Sequence, residues 1–360
     1  RGVNLQFDEA HRRGKRTQNA VRVAPHRAIH SETVESRPRD LALPSASASR
    51  RVRCPPMTSP RHLRTLEDLS REEVLALVHR AEELRALRGR SEHPRPLAGK
   101  TVAIVLEKAS TRTRLSFEAG VVDLGGFPTT LIARDTQIGR GEPIDDTARM
   151  LSGYVHAVVF RTFGHDRVEA MCAASSIPVI NGLSDRFHPC QLLADLQTVQ
   201  AELGRLEGVR VAWIGDGNNM AHSWILAAAR TGLELRLACP EGYDPEPEVI
   251  ARGRALGANV TLVRDPVEAT EGADVVTTDV WASMGQEQEQ AAREAAFAGF
   301  CVDAKLMEHA APNAIFLHCL PAHRGEEVAA EVIDGPWSRV WREAENRLHA
   351  QKALLELLVR

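Results

Sequence analysis

The sequence has little that points to a membrane, a nucleic acid or an oxidised compartment. No apolar run approaches the about 18 residues that a membrane-spanning helix needs. The net charge is −3, and residues 57–360 carry −10, so the body of the chain lacks the basic excess that a phosphate backbone requires. None of the six cysteines forms a C-x-x-C pair or part of a recognisable disulfide framework. We therefore expect a soluble, cytoplasmic protein with reduced thiols.

Residues 1–56 differ from the rest of the chain. They hold 12 basic residues against five acidic ones and show no sustained helical or strand period. The stretch 44–51 is low in complexity, so we expect a disordered extension. Met57 is a candidate natural start, which would make residues 1–56 upstream sequence. A transit peptide is the alternative, although the acidic residues and the lack of an amphipathic helix weaken it.

From Leu63 onwards, short apolar strands alternate with helices. The first helix opens with Ser70 as its N-cap and Glu73 at the capping-box position, and it runs to about Leu87. Such alternation predicts parallel sheets covered by helices on both faces. Strands are expected at residues 101–106, 128–132, 155–161, 178–180, 209–216, 234–239, 259–263, 274–279 and 314–319. Further helices are expected at residues 111–124, 143–152, 165–175 and 189–204, in a segment ending at Arg230, and at 346–358.

A join near residues 200–208 divides this alternation into two α/β domains, each a doubly wound parallel sheet. We expect the first domain to comprise residues 57–203 and the second to comprise residues 204–339. The chain is long enough for each domain to have its own core.

The most informative stretch is Ser-Thr-Arg-Thr-Arg at residues 110–114, which lies between a predicted strand and a predicted helix. Helix N-termini carry unpaired N–H groups and partial positive charge, so they bind anions. Two hydroxyls and two guanidinium groups at that point would complete a phosphate site, since arginine matches phosphate oxygens two at a time. The alternative is an ordinary helix start, with Ser110 as the N-cap and solvated arginines.

Other residues stand where ligands bind in open α/β sheets, at the carboxyl ends of predicted strands. Arg161 ends one strand, although a surface arginine would fit there equally well. His188 and Gln191 precede and open a helix, three residues apart, so both can point into one site. His188 with Cys190 is too small a set to predict a metal site.

A glycine-bearing turn at residues 215–217 invites a dinucleotide interpretation, since Gly-Asp-Gly follows a strand. Met220 occupies the position of the third glycine, and residues 239–241 are a poor match for a ribose-binding acid. Asn218 and Asn219 would also suit turn chemistry and helix capping.

Residues 110–118, Ser-Thr-Arg-Thr-Arg-Leu-Ser-Phe-Glu, resemble the carbamoyl phosphate signature of the aspartate/ornithine carbamoyltransferase family. The resemblance runs from about Leu63 to the C-terminus. Ser-Met-Gly at residues 283–285 and His-Cys-Leu-Pro at residues 318–321 favour the ornithine-specific members. The family fold implies that the C-terminal helix, residues 340–360, packs back on the first domain.

The resemblance implies a role for each matching residue on the carbamoyl phosphate side. Arg161 and His188 would hold the carbonyl oxygen, and Gln191 would contact the carbamoyl amide. Gln137 would reach the site of a neighbouring subunit, which implies a homotrimer or a multiple of trimers. The implied carbamoyl phosphate site comprises Ser110, Thr111, Arg112, Thr113, Gln137, Arg161, His188, Gln191, Cys319, Leu320 and Arg347.

On the amine side, Asp279 would bind the side-chain amine of ornithine. A lone cysteine is more often a buried structural residue, but the thiol of Cys319 beside an electropositive site could be a thiolate. In the family it pairs with Asp279 and helps the amine lose its proton. The implied ornithine site comprises Asn219, Asp279, Ser283 and Met284, and the implied catalytic groups are Arg161, His188, Asp279 and Cys319.

The expected reaction is carbamoyl transfer from carbamoyl phosphate to the δ-amine of L-ornithine, which gives L-citrulline and phosphate in arginine biosynthesis or in arginine deiminase-type degradation. No metal or organic cofactor is expected, because phosphate is itself a competent leaving group. Three alternatives stay open. They are a sister carbamoyltransferase acting on aspartate, putrescine or an acylated ornithine, an NAD-dependent dehydrogenase, and a non-catalytic homologue that serves as an assembly partner.

Overall fold

Two parallel sheets, each covered by helices, make up the part of the protein that the computed structural model describes, residues 60–282 and 290–359. This confirms the predicted doubly wound α/β class. The expected disordered extension at residues 1–56 and the candidate start Met57 lie outside the described residues. The same holds for Ser283, Met284 and Gly285.

The first sheet has the strand order β2-β1-β3-β4. Its strands are β1 (Thr101–Leu106), β2 (Phe127–Ile132), β3 (Ala157–Arg161) and β4 (Val179–Leu183). The helices of this half are α1 (Arg71–Ala86), α2 (Thr111–Asp123), α3 (Ile144–Tyr154), α4 (His165–Ala174) and α5 (Pro189–Leu203). Short 3-10 helices lie at Leu66–Asp68, Ala133–Asp135 and Ile138–Arg140.

The second sheet has the order β7-β6-β5-β8-β9. Its strands are β5 (Arg210–Ile214), β6 (Glu234–Ala238), β7 (Asn259–Val263), β8 (Val275–Thr278) and β9 (Ile315–His318). The helices are α6 (Asn219–Thr231), α7 (Pro247–Ala255), α8 (Pro266–Thr270), α9 (Gln290–Ala296), α10 (Ala304–Met307), α11 (Ala330–Ile333) and α12 (Val340–Leu358).

Local sequence signals explain several of these boundaries. Ser70 caps α1 through both hydrogen bonds of a capping box with Glu73, as predicted. Strand β4 ends at Leu183, three residues beyond the predicted end. Asn181 and Gly182 belong to residue types that are depleted in strands, but both lie within the strand in this sheet. The five helices α7 to α11 were not predicted, since each is short and its apolar residues show little period.

The last helix returns to the first sheet's half of the molecule. Helix α12 packs against α5, α1 and α2, and its buried face includes Leu348, Leu354 and Leu355. This confirms the expected packing of the C-terminal helix. It also brings residues near the end of the chain beside the N-terminus of α2.

Strand order places the ends of four strands at two switch points. In the first sheet the chain reverses between β1 and β3, and in the second between β5 and β8. Leu106 lies opposite Arg161 across the first switch point, and Trp213 lies opposite Thr277 across the second. His318, at the end of β9, lies opposite Thr278 on the other side of β8. Ligands of open α/β sheets bind outside the carboxyl ends of strands at such points. Residues that follow these strands are therefore the candidates for a site.

Candidate active site

The first wall of the site is the N-terminus of α2. Ser110 is the N-cap, and its Oγ accepts a hydrogen bond from the backbone N–H of Thr113 over 3.2 Å. The capping role foreseen for Ser110 is thus present. Thr111 and Arg112 in the first turn are exposed, so capping leaves them free to meet an anion from outside.

Three guanidinium groups converge on this turn. Arg161 Nη1 and Arg347 Nη2 each lie 3.3 Å from Thr113 Oγ1, to which both donate. Arg112 belongs to the same turn as Thr113. Within residues 60–282 and 290–359, no carboxylate forms an ion pair with Arg112, Arg161 or Arg347.

No direct ion pair therefore neutralises the three guanidinium charges, although Asp195 is near enough to Arg347 to act on its charge. Burial, together with the positive charges of Arg347 and Arg112, lowers the pKa of Arg161 to about 10. Burial also lowers the pKa of Arg347, and Arg112 adds to that effect. Like charges held together at a helix N-terminus cost free energy that an arriving anion would recover. The arrangement is that of an anion site.

A cavity of about 510 Å³ lies beside the same turn, and its lining includes Lys108, Ser110 and Thr111. Lys108, which the sequence analysis did not single out, places its ammonium 4.5 Å from the centre of the Phe163 ring. Burial and the charge of Arg161 lower the pKa of Lys108. A fourth cation thus lies near the cluster, and its position two residues after the end of β1 was the signal available in the sequence.

His188 lies at the start of α5 with its ring buried. Its backbone N–H donates to Ser223 Oγ over 2.8 Å, which ties the start of α5 to α6. Its ring Nδ1 is buried and has no hydrogen-bond partner among the described residues. Burial and the three arginines hold the pKa of His188 well below its usual range. The imidazole is therefore neutral, so one ring nitrogen can donate a hydrogen bond and the other can accept one.

Gln191 and Arg347 belong to a network between α5 and α12. Arg347 Nη1 donates to Gln191 Oε1 over 2.6 Å. Gln191 Nε2 donates to Asp195 Oδ1 and to Glu343 Oε1, each over 2.8 Å. Asp195 and Glu343 were not predicted as site residues. The sequence held one indication of their role. Asp195 lies four residues after Gln191 on α5, and Glu343 lies four residues before Arg347 on α12, so each shares a helix face with a predicted site residue.

The second wall follows β8 and β9. Because Thr278 and His318 are in register, the next residues, Asp279 and Cys319, come side by side, and Cys319 Sγ donates to Asp279 Oδ1 over 3.2 Å. Asn218 Nδ2 donates to Asp279 Oδ2 over 3.0 Å. Asn218 Oδ1 also accepts from the backbone of Met220, so it caps α6 as the turn interpretation predicted.

The structure does not support the thiolate that the sequence suggested for Cys319. Burial and the negative charges of Asp279 and Glu343 raise the pKa of Cys319 well above its usual value. Arg161 and Arg347 also interact with Cys319, but burial and the two carboxyl groups outweigh their effect. Cys319 is therefore a neutral thiol that donates a hydrogen bond.

One hydrogen bond joins the two walls directly. Arg112 Nη2 donates to the carbonyl oxygen of Leu320 over 2.6 Å. Leu320 N–H in turn donates to His318 Nδ1 over 2.9 Å, and His318 Nε2 lies 3.2 Å from Glu327 Oε1. Because Nδ1 is the acceptor, Nε2 carries the proton and donates to Glu327.

Two groups of side chains have a spacing that suits a metal ion. One comprises Asp279, His318 and Cys319, and the other comprises His323, Glu326 and Glu327. Both ring nitrogens of His318 are already engaged by Leu320 and Glu327, which leaves the first group without its histidine ligand. Cys190 Sγ donates to the carbonyl oxygen of Asn181, so it makes no pair with His188. These contacts give no support to a resident metal.

Two predicted site residues lie apart from the arginine cluster. Gln137 is exposed at the start of a 3-10 helix, and its Oε1 accepts from Arg140 over 3.5 Å. Asn219 Nδ2 donates to the carbonyl oxygen of Ser184 over 3.1 Å. Ser283 and Met284 lie outside the described residues.

The glycine turn after β5 packs against its own chain. A Cβ on Gly217 would lie 2.1 Å from the backbone nitrogen of Pro245, and the Gly217 N–H donates to the carbonyl oxygen of Tyr243. Asp216 is paired with Arg293, with Oδ2 and Nη1 2.9 Å apart. Close packing within the chain therefore accounts for the second glycine of the motif, without a dinucleotide.

Comparisons with known proteins place the chain in one family. Residues 61–201 match the family model of the carbamoyl-P binding domain of aspartate/ornithine carbamoyltransferase, and residues 207–358 match that of its Asp/Orn binding domain. The chain belongs to the aspartate/ornithine carbamoyltransferase family. No helix among the described residues is long and apolar enough to cross a membrane.

Within that family, the chain is similar to proteins named ornithine carbamoyltransferase. It is 59% identical to that of Halorhodospira halophila over 83% of this chain and 99% of the relative. It is 54% identical to the anabolic ornithine carbamoyltransferase of Pseudomonas aeruginosa over 84% of this chain and 98% of the relative. The solved structure of the Pyrococcus furiosus ornithine carbamoyltransferase has a TM-score of 0.80 at 47% identity, covering 84% and 97% of the two chains.

Proposed function

We propose that the protein transfers the carbamoyl group of carbamoyl phosphate to the δ-amine of L-ornithine, which gives L-citrulline and phosphate. The observation that carries the proposal is the group of three arginines around Thr113, none of which has an ion-pair partner in the described part of the chain. A dianionic acyl phosphate supplies the missing negative charge. The names of the similar proteins support ornithine as the amine and carbamoyl phosphate as the donor.

In the proposed reaction, Ser110, Thr111, Arg112 and Thr113 hold the phosphate as it departs. The helix N-terminus and the Arg112 guanidinium favour a leaving group whose negative charge grows during the transfer. Arg347 adds a second guanidinium behind Thr113. The C–O bond breaks as the amine nitrogen forms its bond to the carbonyl carbon, and the proton that the nitrogen loses passes to the departing phosphate, which leaves as HPO4²⁻.

Arg161 and His188 act on the carbonyl oxygen of the carbamoyl group. As the amine attacks, negative charge collects on that oxygen, and a charged guanidinium with a neutral imidazole N–H can stabilise it. The low pKa of His188 keeps the imidazole neutral at physiological pH, so the charge in this pair comes from Arg161. Gln191, which accepts from Arg347, contacts the amide nitrogen of the carbamoyl group.

The second wall delivers the amine. The δ-ammonium of ornithine has a pKa near that of lysine, about 10.4, so it must lose a proton before it attacks. Asp279, to which Cys319 donates in the structure, binds this ammonium in place of the thiol and accepts the proton that the amine loses before it attacks. Asn219 holds the α-amino and carboxylate end. Ser283 and Met284, which lie outside the described residues, complete the proposed ornithine site.

A homotrimer with shared sites is part of the proposal. Exposed apolar side chains on the first half of the molecule offer an interface, and they comprise Leu115, Val122, Phe127, Met150 and Tyr154. Gln137 is exposed and accepts a hydrogen bond from Arg140, which is not part of the arginine cluster, and this suits a residue that completes a neighbour's site. The proposed setting is the cytoplasm, and the anabolic relative supports arginine biosynthesis as the role.

Subunit complementation tests the shared site. Gln137→Ala and Arg161→Ala should each abolish most citrulline formation, and a 1:1 mixture unfolded and refolded together should recover about a quarter of wild-type activity. That fraction follows because a complete site then needs Arg161 from one chain and Gln137 from another. If each chain used its own Gln137, the mixture would stay inactive.

A side-by-side amine assay tests the reaction. With carbamoyl phosphate present, the protein should carbamoylate ornithine and leave aspartate, putrescine and Nα-acetylornithine unchanged. The fluorescence of NADH titrated with protein should stay constant. Carbamoylation of another amine in preference to ornithine would refute the proposed substrate, and no carbamoylation at all would refute the activity.

A further inference from the structure

Two helices each contribute a pair of side chains one turn apart to a single buried group. Gln191 and Asp195 project from α5, and Glu343 and Arg347 project from α12. All four side chains are at most 2% exposed. We refer to Asp195 and Glu343 as the carboxyl pair.

The carboxyl pair uses both hydrogens of the Gln191 amide. Nε2 donates to one oxygen of each carboxyl group over 2.8 Å, and a primary amide nitrogen has only two hydrogens to give. At the other end of the amide, Oε1 accepts from Arg347 Nη1 over 2.6 Å. A carbonyl oxygen accepts two hydrogen bonds, so one acceptor position of Oε1 is left.

The orientation of the amide is therefore set from both ends. If the amide rotated by half a turn, Nε2 would face the guanidinium of Arg347, and two hydrogen-bond donors would meet. Oε1 would then face the two carboxyl groups that now accept from Nε2. Since Arg347 also reaches Thr113, Oε1 lies on the side of the arginine cluster. A ligand in that cluster meets Gln191 as a hydrogen-bond acceptor and not as a donor.

We infer that Asp195 and Glu343 are positioning residues that hold Gln191 as an acceptor, and that they thereby select an acyl phosphate bearing an N–H over one bearing a methyl group. The inference rests on the proposed function, which places the carbamoyl amide next to Gln191. Carbamoyl phosphate has an N–H2 group where acetyl phosphate has a methyl group of similar size. A site in which Gln191 Oε1 accepts from the carbamoyl N–H disfavours the methyl analogue, because the methyl group leaves this acceptor position of Oε1 without a hydrogen bond.

Other contacts keep the carboxyl pair in place. Glu343 Oε2 accepts from the backbone N–H of His318 over 2.9 Å, which links α12 to the end of β9. Burial raises the pKa of Asp195 to about 7, and burial with the neighbouring Asp195 raises the pKa of Glu343 well above its usual range. One shared proton relieves the repulsion between the two groups at neutral pH. The pair can thus stay packed around one amide nitrogen.

Two non-reactive probes separate amide recognition from phosphate binding. Phosphonoacetamide carries the amide, and acetonylphosphonate carries a methyl group in place of the amide nitrogen. Isothermal titration calorimetry gives the dissociation constant of each, and their ratio measures the contribution of the N–H. The wild-type protein should bind the amide about tenfold more tightly, which corresponds to one well-formed hydrogen bond.

The test variant is Asp195→Asn with Glu343→Gln, and the matched control is Glu345→Gln. Glu345 lies two residues further along α12 with its side chain 45% exposed, so the control makes the same chemical change outside the network. In the double variant the ratio should fall to about twofold, because each new amide offers an N–H as readily as an oxygen. The control should keep the wild-type ratio.

Parallel weakening of both probes with an unchanged ratio would overturn the inference, since it would mean that the carboxyl pair only supports the fold or balances Arg347. If thermal melting shows that the double variant does not fold, Glu343→Gln alone carries the same comparison, with an expected ratio of about fourfold. A wild-type protein that bound neither probe would refute the proposed function itself, and the inference with it. Equal binding of both probes by the wild type would refute the inference alone.

Discussion

Cys319 Sγ lies 3.2 Å from Asp279 Oδ1, and the thiol donates a hydrogen bond to the carboxylate. The two residues meet because each directly follows a strand, and these strands, β8 and β9, are neighbours in parallel register. The same register would bring any pair of residues at these positions together. In the second wall, the Asp279 carboxylate can accept hydrogen bonds from a cation. The Cys319 thiol orients this carboxylate by donating to it, and the thiol can rotate away when a cation binds.

Loss of the Asp279 carboxylate should mainly lower kcat/KM for the amine substrate. Asp279→Asn should lower kcat/KM for ornithine about a hundredfold, since a buried carboxylate is lost from an ammonium. Cys319→Ala should lower it about tenfold, because the carboxylate remains but is no longer oriented. Steady-state citrulline formation measures both values. Cys301→Ala, at a partly buried thiol elsewhere in the second half, is the control and should match the wild type.

Removal of a guanidinium from the first wall should affect the phosphate donor. Arg112→Ala should lower kcat/KM for carbamoyl phosphate by at least about a hundredfold, the effect expected for one donor at a developing anion. Arg114, the second guanidinium that the sequence placed at this phosphate site, instead pairs with Glu118 over 3.0 Å and is exposed, so Arg114→Ala is the matched control two residues further along α2. The control should stay within about twofold of the wild type. If Arg112→Ala and Arg114→Ala lowered kcat/KM equally, the total positive charge of α2, and not the position of Arg112, would determine the use of carbamoyl phosphate.

The glycine turn after β5 predicts a large effect on stability. Gly217→Ala would force a Cβ to within 2.1 Å of the Pro245 backbone, so the turn must open, at a cost of about 3 kcal/mol or more. Gly153→Ala in α3 is the contrasting change, because its Cβ would meet no atom within 4 Å. That variant should gain about 0.5–1 kcal/mol from helix propensity. Urea unfolding followed by circular dichroism measures both differences.

Acid should destabilise the protein in part through His349. Burial, together with the charge of Lys352, lowers the pKa of this residue from 6.5 to about 3, and neither ring nitrogen has a hydrogen-bond partner in the described structure. Below about pH 6.5 the unfolded chain binds a proton here that the folded chain does not bind, so the free energy of unfolding falls as the pH falls from 6.5 towards 3.

His349→Leu should remove this contribution. The variant's free energy of unfolding should decline less steeply than that of the wild type between about pH 6 and pH 4, by about 1.4 kcal/mol per pH unit. Urea unfolding at a series of pH values measures the slope. An unchanged slope would show that His349 does not take up its proton on unfolding.

The sequence predicted those features that depend on strand ends and caps. Arg161 was predicted from its position at a strand end, and Ser70 because its cap is local. Asp279 and Cys319 were assigned through the family resemblance, and the parallel register of β8 and β9 explains why they meet. The charge state of Cys319 was missed because it depends on the burial of the thiol and on the nearby carboxyl groups of Asp279 and Glu343. That is a matter of how the two sheets pack, and no local pattern reports it.

The carboxyl pair was missed for a related reason. Asp195 and Glu343 are 148 residues apart, and single acidic residues on amphipathic helices are usually solvated. Only the packing of α12 against α5 turns them into partners of one amide. The i,i+4 spacing from Gln191 and from Arg347 would have justified a prediction once both of these were placed in the site.

The most direct test of the proposed chemistry is the ratio of phosphate to citrulline. We predict one inorganic phosphate for each citrulline when the purified protein receives carbamoyl phosphate and ornithine, and no phosphate above the spontaneous rate when ornithine is left out. That result requires an acyl phosphate held at the arginines and an amine delivered from the second wall. Phosphate release that does not depend on ornithine, or citrulline formed without phosphate, would contradict it.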